Sequence, residues 1–325
     1  MAAGGIDPRH AGPSPSSFFQ SPRWSRPGRL VEVDLNPSAR TPAAVAEGDP
    51  ERYAARLRES PPEVASLLGR VPLLETPPLD PSWLRYEMLE RFRVLQGAPI
   101  AKGASILEVG AGAHAIATVP LASRVGPGGH VVAIELSRWS HFREIVAACG
   151  MDDRVDPVRA DARHLPHPSK RFEVATCLHG VRSLRSEAAM VRVFREMLRV
   201  GRSLFLAESL PTAHTEAQRA HLAMYDLREE VFRALGGGPD DLGYRSLSRL
   251  CELIEEAGGE VRSSEVLDVD LPHALALFPR ALIEGVQEPR LRADLLGRWD
   301  RAHELGQRHG TDHPPVGILL AEGSA

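Results

Sequence analysis

An apolar run broken by one acid, Ile106-Leu107-Glu108-Val109, leads straight into Gly110-Ala111-Gly112. A strand that enters Gly-x-Gly and then a helix lets backbone N–H groups approach a ligand closely, because glycine has no Cβ. Two ligand classes use such a turn. Nicotinamide and flavin dinucleotides want Gly-x-Gly-x-x-Gly/Ala, a pattern that Gly110, Gly112 and Ala115 satisfy. S-adenosylmethionine instead wants an acid two residues before the first glycine, because its methionine end carries a positive amine. Glu108 separates the two. Beside a pyrophosphate it sets negative charge against negative charge, whereas beside an ammonium it is favourable. The plainer alternative is a glutamate in a tight turn that makes only local hydrogen bonds.

Two more acids follow the next two apolar runs. Val131-Val132-Ala133-Ile134 ends on Glu135, a carboxylate able to hold ribose hydroxyls bidentately, and Ser137 then offers a helix N-cap. Asp161 follows Val155–Ala160 and can accept from an adenine amino group, with the Ala162 backbone beside it. Each acid taken alone could be a loop residue or a cap; three after three successive strands argue for a single ligand.

The elements that must position these residues alternate. Ser105–Val109, Val131–Ile134, Val155–Ala160, Phe172–Cys177 and Ser203–Ala207 read as strands; Ala113–Val125, Trp139–Cys149 and Glu187–Arg199 read as helices between them. Apolar runs of this length separated by helices point to a parallel sheet covered on both faces. A helix over Leu247–Ala257 and strands over Glu260–Asp270 and Val316–Leu320 follow. Upstream, helices are expected over Glu51–Glu59, Pro62–Leu68 and Ser82–Gln96. Residues 1–48 carry dense Pro, Ser, Gly and Ala without hydrophobic period, so they cannot offset their ordering entropy and read as a disordered tail. The expected organisation is thus a tail over 1–48, a helical segment over 49–98 and an α/β domain over 99–325. That domain carries helical insertions at about 211–241 and 272–313, of the kind that serve as lids or oligomer contacts.

Composition narrows the classes. A net charge of −4 gives no global positive field to draw in nucleic acid. The longest stretch free of Asp, Glu, Lys and Arg, Val109–Ser123, falls short of the ~18 apolar residues of a membrane span. Neither a secretory signal nor a disulfide framework is legible, since Cys149, Cys177 and Cys251 are odd in number and far apart; a cytoplasmic protein is expected. Arg192, Arg195, Arg199 and Arg202 read as one solvated helix face. His303, His309, Asp312 and His313 match no common metal spacing and read as surface groups, so no metal is expected.

In these residues the chain resembles the class I S-adenosylmethionine-dependent methyltransferases. Glu108-Val109-Gly110-Ala111-Gly112 matches their acid-x-Gly-x-Gly motif, and Gly126-Pro127-Gly128-Gly129-His130-Val131-Val132 their turn into strand two. Glu135, Leu136, Asp161-Ala162 and Leu165-Pro166 fall where the family keeps ribose and adenine contacts, and Arg171-Phe172-Glu173 takes the place of its Phe-Asp before strand four. A shorter run, His179-Gly180-Val181-Arg182-Ser183-Leu184 with Leu206-Ala207-Glu208-Ser209, is similar to the ubiquinone/menaquinone C-methyltransferase group. The departures are His114 in place of a third glycine, Pro120 inside the following helix, where it should kink it, and Glu173 in place of Asp.

The resemblance implies a doubly wound, mostly parallel seven-stranded α/β sheet with a reversed last strand. It implies S-adenosylmethionine as cofactor, held by Glu108, Gly110, Gly112, Glu135, Leu136, Asp161 and Ala162, with Cys177 as an apolar wall. It also implies methyl transfer to oxygen or carbon of a small-molecule acceptor. His179 follows strand four, whose carboxyl end faces the transferable methyl group in this architecture, so it is the candidate base, and Arg182 could hold an anionic oxygen of the acceptor. A dinucleotide-binding oxidoreductase and a non-catalytic S-adenosylmethionine-binding protein are the alternatives.

Overall fold

The structure, a computed structural model, describes residues 50–74, 82–136, 139, 141–184, 186–236, 243–273 and 280–323. The tail over 1–48 and the cap at Ser137 lie outside the described residues.

Seven strands form one sheet. They are β1 (Ser105–Val109), β2 (His130–Glu135), β3 (Val155–Arg159), β4 (Phe172–Leu178), β5 (Gly201–Ser209), β6 (Gly259–Leu267) and β7 (Val316–Gly323). The order is β3-β2-β1-β4-β5-β7-β6, parallel from β1 to β5, with β7 antiparallel to both of its neighbours. Successive side chains of a strand point to opposite faces, and both faces are apolar here. Ile106, Val131, Ala133 and Val174 pack on one side beneath α2 (Pro62–Arg70), α3 (Trp83–Val94), α4 (Thr118–Val125) and α5 (Phe142–Ala148). Leu107, Val132, Ile134 and Ala175 pack on the other against α6 (Glu187–Val200) and α8 (Leu247–Glu256).

The amino-terminal helix α1 (Pro50–Glu59) leans on the first of these cores through Tyr53 and Leu57. Arg52 anchors it further, donating to Asp270 (2.6 Å) and to both carboxylate oxygens of Asp312 (2.8 and 2.9 Å). The insertions contribute α7 (Glu216–Ala234), a single turn α9 (Ala281–Glu284) and α10 (Pro289–His309), which share a small core of Met224, Leu227, Val231, Ile283 and Leu295.

Two expectations are corrected. The helix after the glycine turn begins at Thr118, not Ala113, because Ala115 takes a left-handed φ of +51° and residues 113–117 complete the turn. Pro120 therefore falls in the first helical turn, where backbone N–H groups have no intrahelical partner, and it forces no kink. Asp312 and His313 are not surface groups; they are 7% and 2% exposed. A bridge between Pro272 and Asp312 and the bond from His313 N to Leu271 O draw that segment under the fold.

Candidate cofactor and acceptor site

β1 lies between β2 and β4, where the strand order reverses, so its carboxyl end opens onto the crevice in which open α/β sheets bind ligands. The turn that follows is built for close approach. Gly110 and Gly112 take φ of +79° and +69°, conformations that cost glycine little, and the N–H groups of Gly110 and Ala111 both donate to Ile134 O (2.9 and 3.1 Å). A Cβ placed on Gly112 would meet open space.

Glu108 sits beneath this turn, 1% exposed, with the Thr118 hydroxyl donating to its Oε2 at 2.6 Å. Burial, opposed by that hydroxyl bond and reinforced by the charge of Glu135, pushes its carboxyl up to about 7. Glu135 is held by two backbone donors, Gly112 N to Oε2 (3.1 Å) and Leu136 N to Oε1 (2.8 Å). That fixes the carboxylate between the β1 turn and the end of β2. Leu136, 54% exposed, leaves an apolar side chain beside it.

The neighbouring strand end is tied to this one. Ala160 N donates to Glu135 O (3.3 Å) and Arg159 Nε to Leu136 O (2.8 Å). Asp161 accepts from the backbone N, Nε and Nη2 of Arg163 (2.9, 3.0 and 2.6 Å), and those bonds, against a smaller burial penalty, hold its carboxyl below the usual range. Ala162 packs at the edge of the second core. Cys177 is 1% exposed, and burial pushes its thiol far up, so it is a wall and not a nucleophile. Its Sγ would lie 2.7 Å from a Cβ at Gly180, whose backbone also packs on Gly110. The end of β4 is thereby set against the glycine turn, with only glycine fitting between.

His179 stands just before that glycine at φ +56°, an uncommon backbone state for a non-glycine residue and one that clusters at functional sites. Its ring is enclosed: Nε2 lies 3.0 Å from Glu90 Oε1, and Nδ1 lies 3.1 Å from Ser209 Oγ and 3.6 Å from Glu208 Oε1. A proton leaving an acceptor reaches this imidazole only by displacing one of those partners. Burial would raise the Glu90 carboxyl, but the charge of Arg91 and the hydrogen bond with His179 outweigh it and hold it at about 2. Arg182 stays partly open; its backbone N donates to Glu208 Oε2 (3.4 Å) and its Nη1 to the Tyr244 hydroxyl (3.5 Å).

The fold thus groups Glu108, Gly110, Gly112, Glu135 and Leu136 around one turn. Asp161 and Ala162 stand on the adjoining strand end, Cys177 beneath, and His179 and Arg182 over β4 and β5. Thr118, Glu90 and Glu208 belong with them; sequence reasoning missed Thr118 and Glu90, and quoted Glu208 only within a run of family resemblance without a role. For Glu90 the available signal was the charged set Glu87, Glu90 and Arg91 at i, i+3 and i+4 on α3.

Residues 106–203 match the family model described as a methyltransferase domain. They carry the buried Glu108, the glycine turn and Glu135. This stretch is similar to the class I S-adenosylmethionine-dependent methyltransferases. The ubiquinone/menaquinone biosynthesis C-methyltransferase of Hahella chejuensis is 28% identical over 130 residues, covering 39% of this chain and 51% of that protein. The protein of the same name from Pseudomonas savastanoi pv. phaseolicola is 30% identical over 131 residues, 39% and 50% of the two chains. The chain spans about half the length of the curated relatives it matches. Among solved structures, a cyclopropane-fatty-acyl-phospholipid synthase-like protein from Lactobacillus casei shares the fold at a TM-score of 0.63 and 15% identity, over 80% of this chain and 98% of that chain. Among the described residues no helix is long and apolar enough to cross a membrane.

Proposed function

We propose that this methyltransferase moves a methyl group from S-adenosylmethionine to an oxygen or carbon atom of a small-molecule acceptor. The observation that carries the reading is Glu108: a buried carboxylate directly under a Gly-x-Gly turn suits a cationic amine and opposes a pyrophosphate. That disfavours the dinucleotide alternative.

The cofactor, when bound, supplies an electrophilic methyl group on a sulfonium. Glu108 in its ionised form receives the amine. Glu135, already oriented by Gly112 N and Leu136 N, accepts from ribose hydroxyls. Leu136 covers an apolar ring face, Asp161 accepts from an exocyclic amine with the Ala162 backbone beside it, and Cys177 closes the floor. On the other half of the carboxyl edge Arg182 holds an anionic oxygen of the acceptor. His179 takes the acceptor's proton, its positive form facing Glu90 and Glu208. The enclosure excludes water and holds the partners in line, which is the larger share of what a methyl transfer needs from a protein.

We place the reaction in the cytoplasm. The relatives' names, ubiquinone/menaquinone biosynthesis C-methyltransferases, support a carbon atom of a quinone-class acceptor as the finer reading. Calorimetry with S-adenosylmethionine and with NADH tests the cofactor, and tight NADH binding without S-adenosylmethionine binding overturns the reading. Methyl-labelled cofactor incubated with fractionated cell extract, and separately with demethylmenaquinol, tests the acceptor. Label entering no fraction leaves a binding protein without turnover.

A further inference from the structure

The polar cluster over β4 and β5 continues into a group of histidines that the methyl-transfer reading does not use. Glu87, on α3 one turn before Glu90, directs Oε1 at two imidazoles: His273 Nε2 at 3.2 Å and His313 Nε2 at 3.7 Å. The three donor atoms all lie within 4.8 Å of one another. Glu87 and His313 are 7% and 2% exposed, and the His273 side chain is 15% exposed. We propose that Glu87, His273 and His313 form a binding site for one divalent transition-metal ion of the zinc class, on the acceptor half of the sheet's carboxyl edge.

Geometry carries the proposal. Zinc–nitrogen and zinc–oxygen bonds of about 2.0–2.1 Å require tetrahedral donors about 3.4 Å apart, and the two carboxylate–imidazole separations straddle that value. The donor set, two imidazoles and one carboxylate, is one of the sets that hold catalytic zinc with an open position. The site is also preorganised. His273 and His313 stand on facing segments joined by His273 N to Thr311 O (2.9 Å), His313 N to Leu271 O (3.0 Å) and the Pro272–Asp312 bridge. Gln218 Nε2 secures the His313 carbonyl at 3.1 Å. Arg91 Nη1 donates to Glu87 Oε2 at 3.3 Å and leaves Oε1 to the imidazoles, the kind of outer partner that orients a ligating carboxylate.

The second observation is want of partners. His313 Nε2 is buried without a hydrogen bond, although it faces Glu87, and so are His273 Nδ1 and His221 Nδ1 of the ring set edge-on to His273. Buried polar atoms are rarely left so, and each such case calls for a missing partner.

The test uses the full-length chain stripped of metal by chelator dialysis. Titration with Zn2+ in a calorimeter should show one equivalent bound, and Co2+ should develop visible absorption on binding at the same stoichiometry. Glu87→Gln and His273→Gln should each weaken Zn2+ binding by about 100-fold or more, while His309→Ala, an exposed histidine, should leave it unchanged. His273→Gln lies off the buried helix and serves if Glu87→Gln lowers the melting temperature sharply. Zn2+ affinity weaker than millimolar in the parent chain, or affinity unchanged in His273→Gln, overturns the proposal. Neither readout depends on methyl transfer, so failure of one reading does not decide the other.

Discussion

At the scale of single residues, Glu108 sets stability against binding. Its carboxyl titrates near 7 in the fold, against an ordinary value of 4.5, because burial disfavours the charged form. A raised acid contributes no penalty below its unfolded value, and stability falls as pH rises from about 4.5 through about 7, by roughly 3 kcal/mol in all. In the binding mode proposed above, the cationic amine needs the ionised carboxylate, so S-adenosylmethionine affinity should rise between pH 6 and 8. Glu108→Gln should remove that rise, weaken binding at pH 8 by about tenfold or more, and raise the melting temperature of the ligand-free protein at pH 8 but not at pH 4.5. Binding that is flat with pH in the parent chain would place the amine elsewhere.

His179 belongs to the same scale. Asparagine tolerates the left-handed backbone that His179 adopts, so His179→Asn tests the imidazole without forcing the loop. Turnover should fall by about 10²–10⁴ with little change in cofactor affinity. The melting temperature should fall too, because Glu90 loses a buried hydrogen-bond partner, and leaving a buried group unsatisfied costs about 1–3 kcal/mol. Loss of stability with full turnover would leave His179 a positioning residue.

At the scale of elements, the sequence carries strands better than site partners. β1 to β5 and β7 were legible because apolar runs bounded by turns admit few other readings, and each lies within a few residues of where periodicity puts it, whereas the reversal of β7 came only from the family resemblance. The start of α4 was not. An alanine at φ +51° has no sequence signature of its own, so Pro120 read as a break in a helix that had not yet begun. On α3, Trp83, Glu87, Glu90 and Arg91 are buried along with its apolar face, so a charge that looks solvated by periodicity is a site group in the fold. Glu90 and His179 are 89 positions apart and meet only through tertiary packing.

The contact between the β1 turn and the end of β4 can be tested as an element pair. Gly180→Ala puts a methyl 2.7 Å from Cys177 Sγ and 3.4 Å from Val109 O, so the protein should lose about 1–3 kcal/mol. If the sulfur is the obstacle, Cys177→Ala should restore part of that loss in the double variant. Additive losses in a thermal or urea denaturation cycle would show that the Val109 carbonyl, and so the turn itself, bears the strain.

At the scale of the whole molecule, the question is where the folded unit begins. Residues 1–47 hold no periodic apolar face, so removing Met1–Glu47 should leave both melting temperature and cofactor affinity unchanged. Cutting only 13 residues further, through Ser60, should behave quite differently. That cut deletes α1, with Tyr53 and Leu57 on the first core, and it removes Arg52 from a cluster in which Asp312 is 10% exposed at the side chain. Asp312 adjoins His313 and pairs through Pro272 with the segment that carries His273, so losing Arg52 loosens the strand end that supports the histidine cluster. The longer deletion should therefore lower the melting temperature by several degrees. It should also weaken Zn2+ binding more than S-adenosylmethionine binding, because the cofactor turn is held by β1, β2 and β4 and not by α1. Equal melting temperatures for the two truncations would show that α1 is an ornament and that the domain starts at α2.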